Sequence, residues 1–170
     1  MNPAWLLNTA RLRMAPVGWA DLEDLVALKT DPRAFGLMLG GVRTRERVGE
    51  ELAEEVSAWG RDGFGIWGVR GLRLGAFLGI AGLQERPDGL GVALRFAMWP
   101  EVRGAGLARE AAGAALRYGH EQAKLPRIVA VARADNFASR MVLGAIGMIE
   151  ISGFPRAGVP MLIYESVRTY

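Results

Sequence analysis

The sequence has no cysteine, two lysines (Lys29 and Lys124) and a single histidine, His120. Without thiols there is no disulfide, no thiolate metal site and no cysteine nucleophile, and the composition suits a reducing cytoplasm. One histidine argues against a histidine-rich zinc centre and against a Ser-His-Asp triad, and no metal is expected. His120 reads as a partly exposed polar residue near a helix end, where the helix dipole favours a cation. No apolar run approaches the ~20 residues that a membrane span requires. The opening MNPAWLLNTARLR has no cationic segment ahead of its short apolar stretch, so it does not read as a signal peptide. The expectation is a soluble, cytoplasmic protein with no membrane partner.

The chain has 170 residues, 51% of them hydrophobic, with a formal net charge of +3. That size suits one domain over residues 1–170, burying about 70% of its unfolded surface without covalent staples. The pI of 9.8 is basic, but the arginines are scattered and no aromatic–basic alternation marks a base-stacking surface. Nucleic acid is therefore not an expected partner.

Residues 10–17 alternate apolar and polar as a half-buried strand does. Residues 19–31 carry Leu22, Leu25, Val26 and Leu28 at helical spacing, with Asp21, Glu23 and Asp24 in the first turn. Residues 32–41 read as a connecting loop. A second helix over 44–59 has Val48, Leu52, Val56 and Trp59 on one stripe against a charged face. The period then changes to that of three strands, 64–71, 73–84 and 90–99, joined by short turns. Residues 106–123 form a helix with an alanine-rich inner face, suited to close packing on a sheet. A buried strand follows at 127–134, a short helix at 137–147, and final strands at 148–152 and 161–170 around a loop at 153–160. The order β-α-α-β-β-β-α-β-α-β-β predicts one α/β (α+β) domain with a mixed sheet and a β-α-β crossover. Trp19, Trp59, Trp67 and Trp99 read as core or sheet-face residues.

The stretch WPEVRGAGLAREA, residues 99–111, carries the chemistry. It joins a strand to a helix and puts Gly104 and Gly106 at the helix start, where glycine lets backbone N–H groups converge without a side chain in the way. Those donors have no intrahelical partner and, with the dipole, attract phosphate. Arg103 and Arg109 add cations, Arg103 being the better placed to reach outward. The G-x-G-x-x-G dinucleotide fingerprint fails at Arg109, and the Gly-Lys-Ser/Thr ending of a P-loop is absent.

What remains, Arg103-x-x-Gly106-x-Ala108, resembles the acetyl-CoA signature R/Q-x-x-G-x-G/A of the GNAT superfamily of N-acetyltransferases. The resemblance covers nearly the whole chain, and Asn136-x-x-Ser139 followed by Gly147-Met148 is similar to the RimJ/RimL-type branch. It implies the GNAT acyl-CoA N-acyltransferase fold and acetyl-CoA as cosubstrate. It places the diphosphate on Arg103, Gly104, Ala105, Gly106, Leu107 and Ala108, and the pantetheine arm along Phe96, Ala97 and Met98. Asn136 and Ser139 match positions that meet the arm and the sulfur. Ser139 is then the candidate proton donor to the departing thiolate, because the tyrosine that many members carry four residues later is Leu143 here. Asn136 also reads as a helix cap.

The chain departs from the family where Glu-x-Gly-Tyr is common: it reads Ala93-Leu94-Arg95-Phe96 and lacks the carboxylate. Glu85 or Asp88 could substitute as base through a water. The implied acceptor is a primary amine, on a protein N-terminus or a small molecule. An acyl-CoA-binding regulatory domain with little catalysis is the alternative, and the residues fit a monomer or a homodimer equally. Gly106→Glu is expected to abolish CoA binding and leave the fold intact.

Overall fold

The computed structural model describes residues 1–169. They form one open sheet of eight strands with five α-helices. In chain order these are β1 (Leu7–Asn8), β2 (Leu12–Pro16), α1 (Leu22–Thr30), α2 (Pro32–Phe35), α3 (Arg45–Asp62), β3 (Ile66–Gly71), β4 (Phe77–Glu85) and β5 (Val92–Met98). They continue with α4 (Leu107–Glu121), β6 (Arg127–Arg133), α5 (Phe137–Ala145), β7 (Ile149–Arg156) and β8 (Val159–Val167). The sheet order is β1-β2-β3-β4-β5-β6-β8-β7, and the β5–β6 pair alone is parallel.

Strand alternation sends successive side chains to opposite faces, and the core is accordingly double. On one face Leu83, Leu94 and Met98 pack under the buried alanines of α4, Ala111, Ala112, Ala114 and Ala115. This helix lies very close to the sheet: a Cβ on Gly119 would fall 2.5 Å from Ile128 Cδ1 and 2.8 Å from Leu83 Cδ1. On the other face Ile66, Ile80 and Ala97 meet Leu25, Leu28, Phe35, Val48 and Leu52 of α1, α2 and α3. Trp59 and Trp67 stack edge-on at 4.8 Å beside Tyr118, as expected of core residues. Trp19 departs from that expectation at 56% exposure. It sits in a single 3-10 turn where no sheet face passes over it.

Three local expectations are corrected. The loop over 32–41 begins with α2, because Asp31 accepts the Arg33 N–H at 2.9 Å and Pro32 occupies the first helical position, a favourable pair of start signals. The edge strand β1 was unread, being two residues long and paired only through Leu7↔Met14 and Asn8↔Arg13. The loop over 153–160 is in fact the hairpin of β7 and β8, which turns at Ala157 (φ +49°) and Gly158 (φ +77°). Pro155 faces Pro160 across it; an edge strand such as β7 can spare the proline's missing donor. The predicted final strand ended at Tyr170, which lies outside the described residues.

Candidate active site

Strands β5 and β6 touch in register only at Ala93↔Val129 and then part. The rest of β5 keeps its antiparallel partner β4 but has none on the other edge. Trp99 N–H donates to Leu78 O at 2.9 Å, so by the alternation of an antiparallel pair residues 97 and 95 also bond toward β4. Phe96 and Met98 therefore turn their N–H and C=O groups into the gap. A cleft of about 740 Å³ opens there, lined among others by Arg95, Phe96, Ala132, Asn136 and Ser139.

After β5 a 3-10 turn over Pro100–Val102 leads to the glycine loop. Gly104 has φ +86° and Gly106 φ +79°, while Ala105 between them is not left-handed. Such alternation makes a concave nest of N–H groups. None of the N–H groups of residues 104–109 has a hydrogen-bond partner among the described residues; the first to close the helix is Glu110 N–H on Gly106 O at 3.0 Å. Gly106 supplies no side-chain cap. Residues 103–106 are exposed and Leu107 and Ala108 half-buried, so the loop is open to a ligand.

A latch that no local signal could reveal holds this loop. The Glu110 carboxylate accepts from Thr9 Oγ1 at 2.6 Å, from Arg11 N–H at 2.8 Å and from Arg11 Nε at 2.7 Å. Arg11 Nη1 donates to Ala105 O at 2.7 Å. These contacts hold the Glu110 carboxyl below its ordinary pKa despite partial burial. They also set a second guanidinium beside the nest, about 100 residues away in sequence. Arg103 does not reach outward: its Nη2 turns back to Arg33 O at 3.0 Å and Met98 O at 3.4 Å, tying α2 to the end of β5. Arg109 is exposed.

The backbone sign of Gly106 changes the expectation for Gly106→Glu. A side chain there is strained whatever the space, and its Cβ would lie 3.4 Å from Arg11 Nη2. Loss of binding and loss of local structure would come together in that variant.

At the far side of the gap β6 runs into α5. Asn136 Oδ1 accepts the Ser139 N–H at 3.3 Å, so Asn136 is the helix cap expected of it. It also lines the cleft with Ser139, and Leu143, buried, lines it one turn further on. Glu85 and Asp88 are exposed cleft residues on the β4–β5 turn. Asp88 is engaged with Arg86 at 2.6 Å and with Leu90 N–H at 3.0 Å, contacts that draw its carboxyl down to about 2. A carboxylate so acidic is a poor proton acceptor, which leaves Glu85 as the better placed of the two.

The third wall belongs to α3 and the segment before it, with α1 behind them, and it carries a buried charge network that sequence reading missed. Lys29, 1% exposed, sits 2.8 Å from Glu55 and 3.7 Å from Glu51. Arg43 Nε lies 2.7 Å from Glu51, and its Nη1 donates to Leu39 O at 2.9 Å and to Gly41 O. Lys29 and Arg43, with a smaller pull from Arg95, hold the Glu51 carboxyl below its ordinary value against the desolvation that would raise it. The clue was available only as Lys29 on the apolar face of its helix.

The sequence pattern of the acetyltransferase (GNAT) domain family matches residues 11–149. The chain belongs to that family. Its span begins at the latch arginine and takes in the nest and the cleft strands. This GNAT domain is 28% identical over 162 residues to the FsC-acetyl coenzyme A-N(2)-transacetylase of Aspergillus fumigatus, covering 87% of the chain and 66% of that protein's length. The fold is shared with an acetyltransferase from Agrobacterium tumefaciens (TM-score 0.85, 24% identity, 96% and 94% of the two chains covered). It is shared as well with RimL, a ribosomal L7/L12 alpha-N-protein acetyltransferase in complex with coenzyme A (TM-score 0.78, 13% identity, 96% and 98% covered). Among the described residues no helix is long and apolar enough to cross a membrane, and no group of three or more His, Asp or Glu is placed to hold a metal.

Proposed function

We propose that this GNAT domain transfers an acetyl group from acetyl-CoA to a primary amine by direct attack. The observation that carries the reading is the run of N–H groups without a hydrogen-bond partner in an exposed loop, residues 104–109, beside the gap between β5 and β6. The residues fit coenzyme A. The N–H groups of Gly104, Ala105, Gly106, Leu107 and Ala108 would hold the diphosphate, with Arg11 and Arg103 as nearby cations. The edge of Phe96 and Met98, with Ala97 between them and only Met98 O engaged, at 3.4 Å by Arg103, would take the pantetheine arm as an added strand does, and Asn136 would meet the arm. Acetyl-CoA supplies an activated acyl carbon. An amine nitrogen bonds to that carbon, the carbon–sulfur bond breaks, one proton leaves nitrogen and the thiolate gains one.

Ser139, at the cleft and next to the cap, is the proposed donor of that proton, directly or through water. Glu85 is the proposed base, and an amine of pKa near 8, such as a protein N-terminus, would need little help from it. The RimJ/RimL-type branch is supported by the Asn136-x-x-Ser139 segment and by the fold shared with RimL. The thiol-free composition supports a cytoplasmic setting.

The test is thiol release from acetyl-CoA with a panel of amines and of peptide N-termini, run beside calorimetry of CoA. Amine-dependent thiol release supports transfer. Tight CoA binding with no turnover on any amine supports the acyl-CoA-binding regulatory alternative instead.

A further inference from the structure

Arg95 stands at the edge of the charge network of the cleft wall, without a direct ion pair among the described residues. It lies on the β5 face that looks toward α1 and α3, one residue before Phe96, and its guanidinium lines the cleft. Opposite it in the sheet is Gly82, which carries no side chain to cover it. Its neighbours are already matched: Lys29 with Glu55 and Glu51, Arg43 with Glu51 and two carbonyls. Glu55 and Glu51 attract Arg95 from further off, but their direct ion-pair partners are Lys29 and Arg43.

The one hydrogen bond of Arg95 is from Nη1 to Gln84 Oε1 at 2.7 Å, and no carboxylate lies within ion-pair distance of it among the described residues. The spare oxygen of the wall, Glu55 Oε2, is itself buried without a partner and is not engaged by Arg95. Desolvation holds the Arg95 pKa below the ordinary guanidinium value. No Arg95 nitrogen is both sealed from solvent and without a partner, so the donors it does not spend on Gln84 are open to a ligand, and its planar fork matches a carboxylate in two parallel hydrogen bonds.

Resting on the acetyl-transfer reading above, we propose that Arg95 anchors a carboxylate of the acceptor, so that the substrate is a small amino acid-like molecule. Consecutive residues of one strand then do complementary work. Phe96 offers its backbone edge to the gap, and Arg95, the residue before it, lines the same cleft and offers the anion anchor. A carboxylate a few atoms from the amine suits that arrangement.

The experiment compares each of the common L-amino acids with its own amide as acceptor, in the wild-type chain and in Arg95→Met and Arg95→Lys. For the amino acids that are used, kcat/KM of the acid should exceed that of the amide by about 100-fold, as for a desolvated charge pair. In Arg95→Met the two should come within about 3-fold of each other through a raised KM for the acid, with amide turnover and CoA affinity unchanged. Arg95→Lys should recover part of the preference, since it keeps the charge and loses the fork. Amides used as well as acids, peptide N-termini as the sole acceptors, or an equal loss on both members of each pair would overturn the proposal.

Calorimetry of N-acetyl-amino acids and their amides against the CoA-loaded protein separates this idea from the one beneath it. Arg95-dependent binding of the acids without turnover on any amine upholds the anchor and removes the acetyl-transfer reading. Turnover without a carboxylate preference does the reverse. Neither binding nor turnover overturns both.

Discussion

Replacing Ala105 by glutamate sets a carboxylate on the proposed diphosphate site while asking nothing of the backbone. Ala105 is exposed and lies between two left-handed glycines without being left-handed itself, so a longer side chain fits its φ. At about 6 Å from one phosphate charge and an effective dielectric near 20, the repulsion is about 3 kcal/mol, and salt at physiological strength roughly halves it. The expected result is a 10- to 100-fold weaker Kd for CoA by calorimetry, with the melting temperature within about 2 °C of wild type. Gly106→Ala is the converse control. It adds no charge but forces a left-handed alanine, costing about 1–2 kcal/mol and lowering the melting temperature by roughly 2–8 °C. Ala105→Glu binding CoA as tightly as wild type would refute the placement of the diphosphate on this loop.

Other consequences are open to measurement. Lys29→Met strands Glu55, 2% exposed, and breaking a buried pair from one side costs about 3–5 kcal/mol; the joint change with Glu55→Met should recover most of that loss in thermal melts. Ser139→Ala should lower kcat about 10- to 100-fold and leave the Kd for CoA unchanged, since the Asn136 cap bonds the backbone of residue 139 and not its hydroxyl. Asp88, Glu51 and Glu110 have carboxyl pKa values lowered by folding, Asp88 to about 2. Their stabilisation is full above the ordinary values of 3.8 and 4.5 and is lost as pH falls through the lowered ones. Circular dichroism should therefore show stability level above about pH 5 and declining toward pH 2.

Much of the fold was legible because its signals are periodic. Leu22, Leu25 and Leu28 gave α1 its spacing, the alanines of α4 announced a close approach to a sheet, and the meander of three strands changed period where α3 ended. What escaped has no period. Two-residue β1 is too short for alternation, and the hairpin at residues 153–160 looked like a loop because its two prolines usually exclude a strand. The short helix α2 was signalled by Asp31-Pro32 and went unread.

The site divides the same way. The nest was legible as a local pattern, since Gly104 and Gly106 stand at the start of a helix and backbone geometry follows from that alone. The latch of Thr9, Arg11 and Glu110 and the network of Lys29, Arg43, Glu51 and Arg95 are meetings between distant segments. Only the sheet order brings them together. Arg103 shows the limit from the other side: its position was legible, but its side chain took carbonyls at Arg33 and Met98 that no pattern in residues 99–111 discloses.

The central claim is that the amide hydrogens of residues 104–108 receive the diphosphate of coenzyme A. Titrating CoA into the isotopically labelled protein and following backbone amide resonances tests it directly. The account predicts that these five amides move furthest and saturate with the calorimetric Kd, and that dephospho-CoA, which keeps the diphosphate, moves them alike. CoA that binds while those resonances stay still would contradict it.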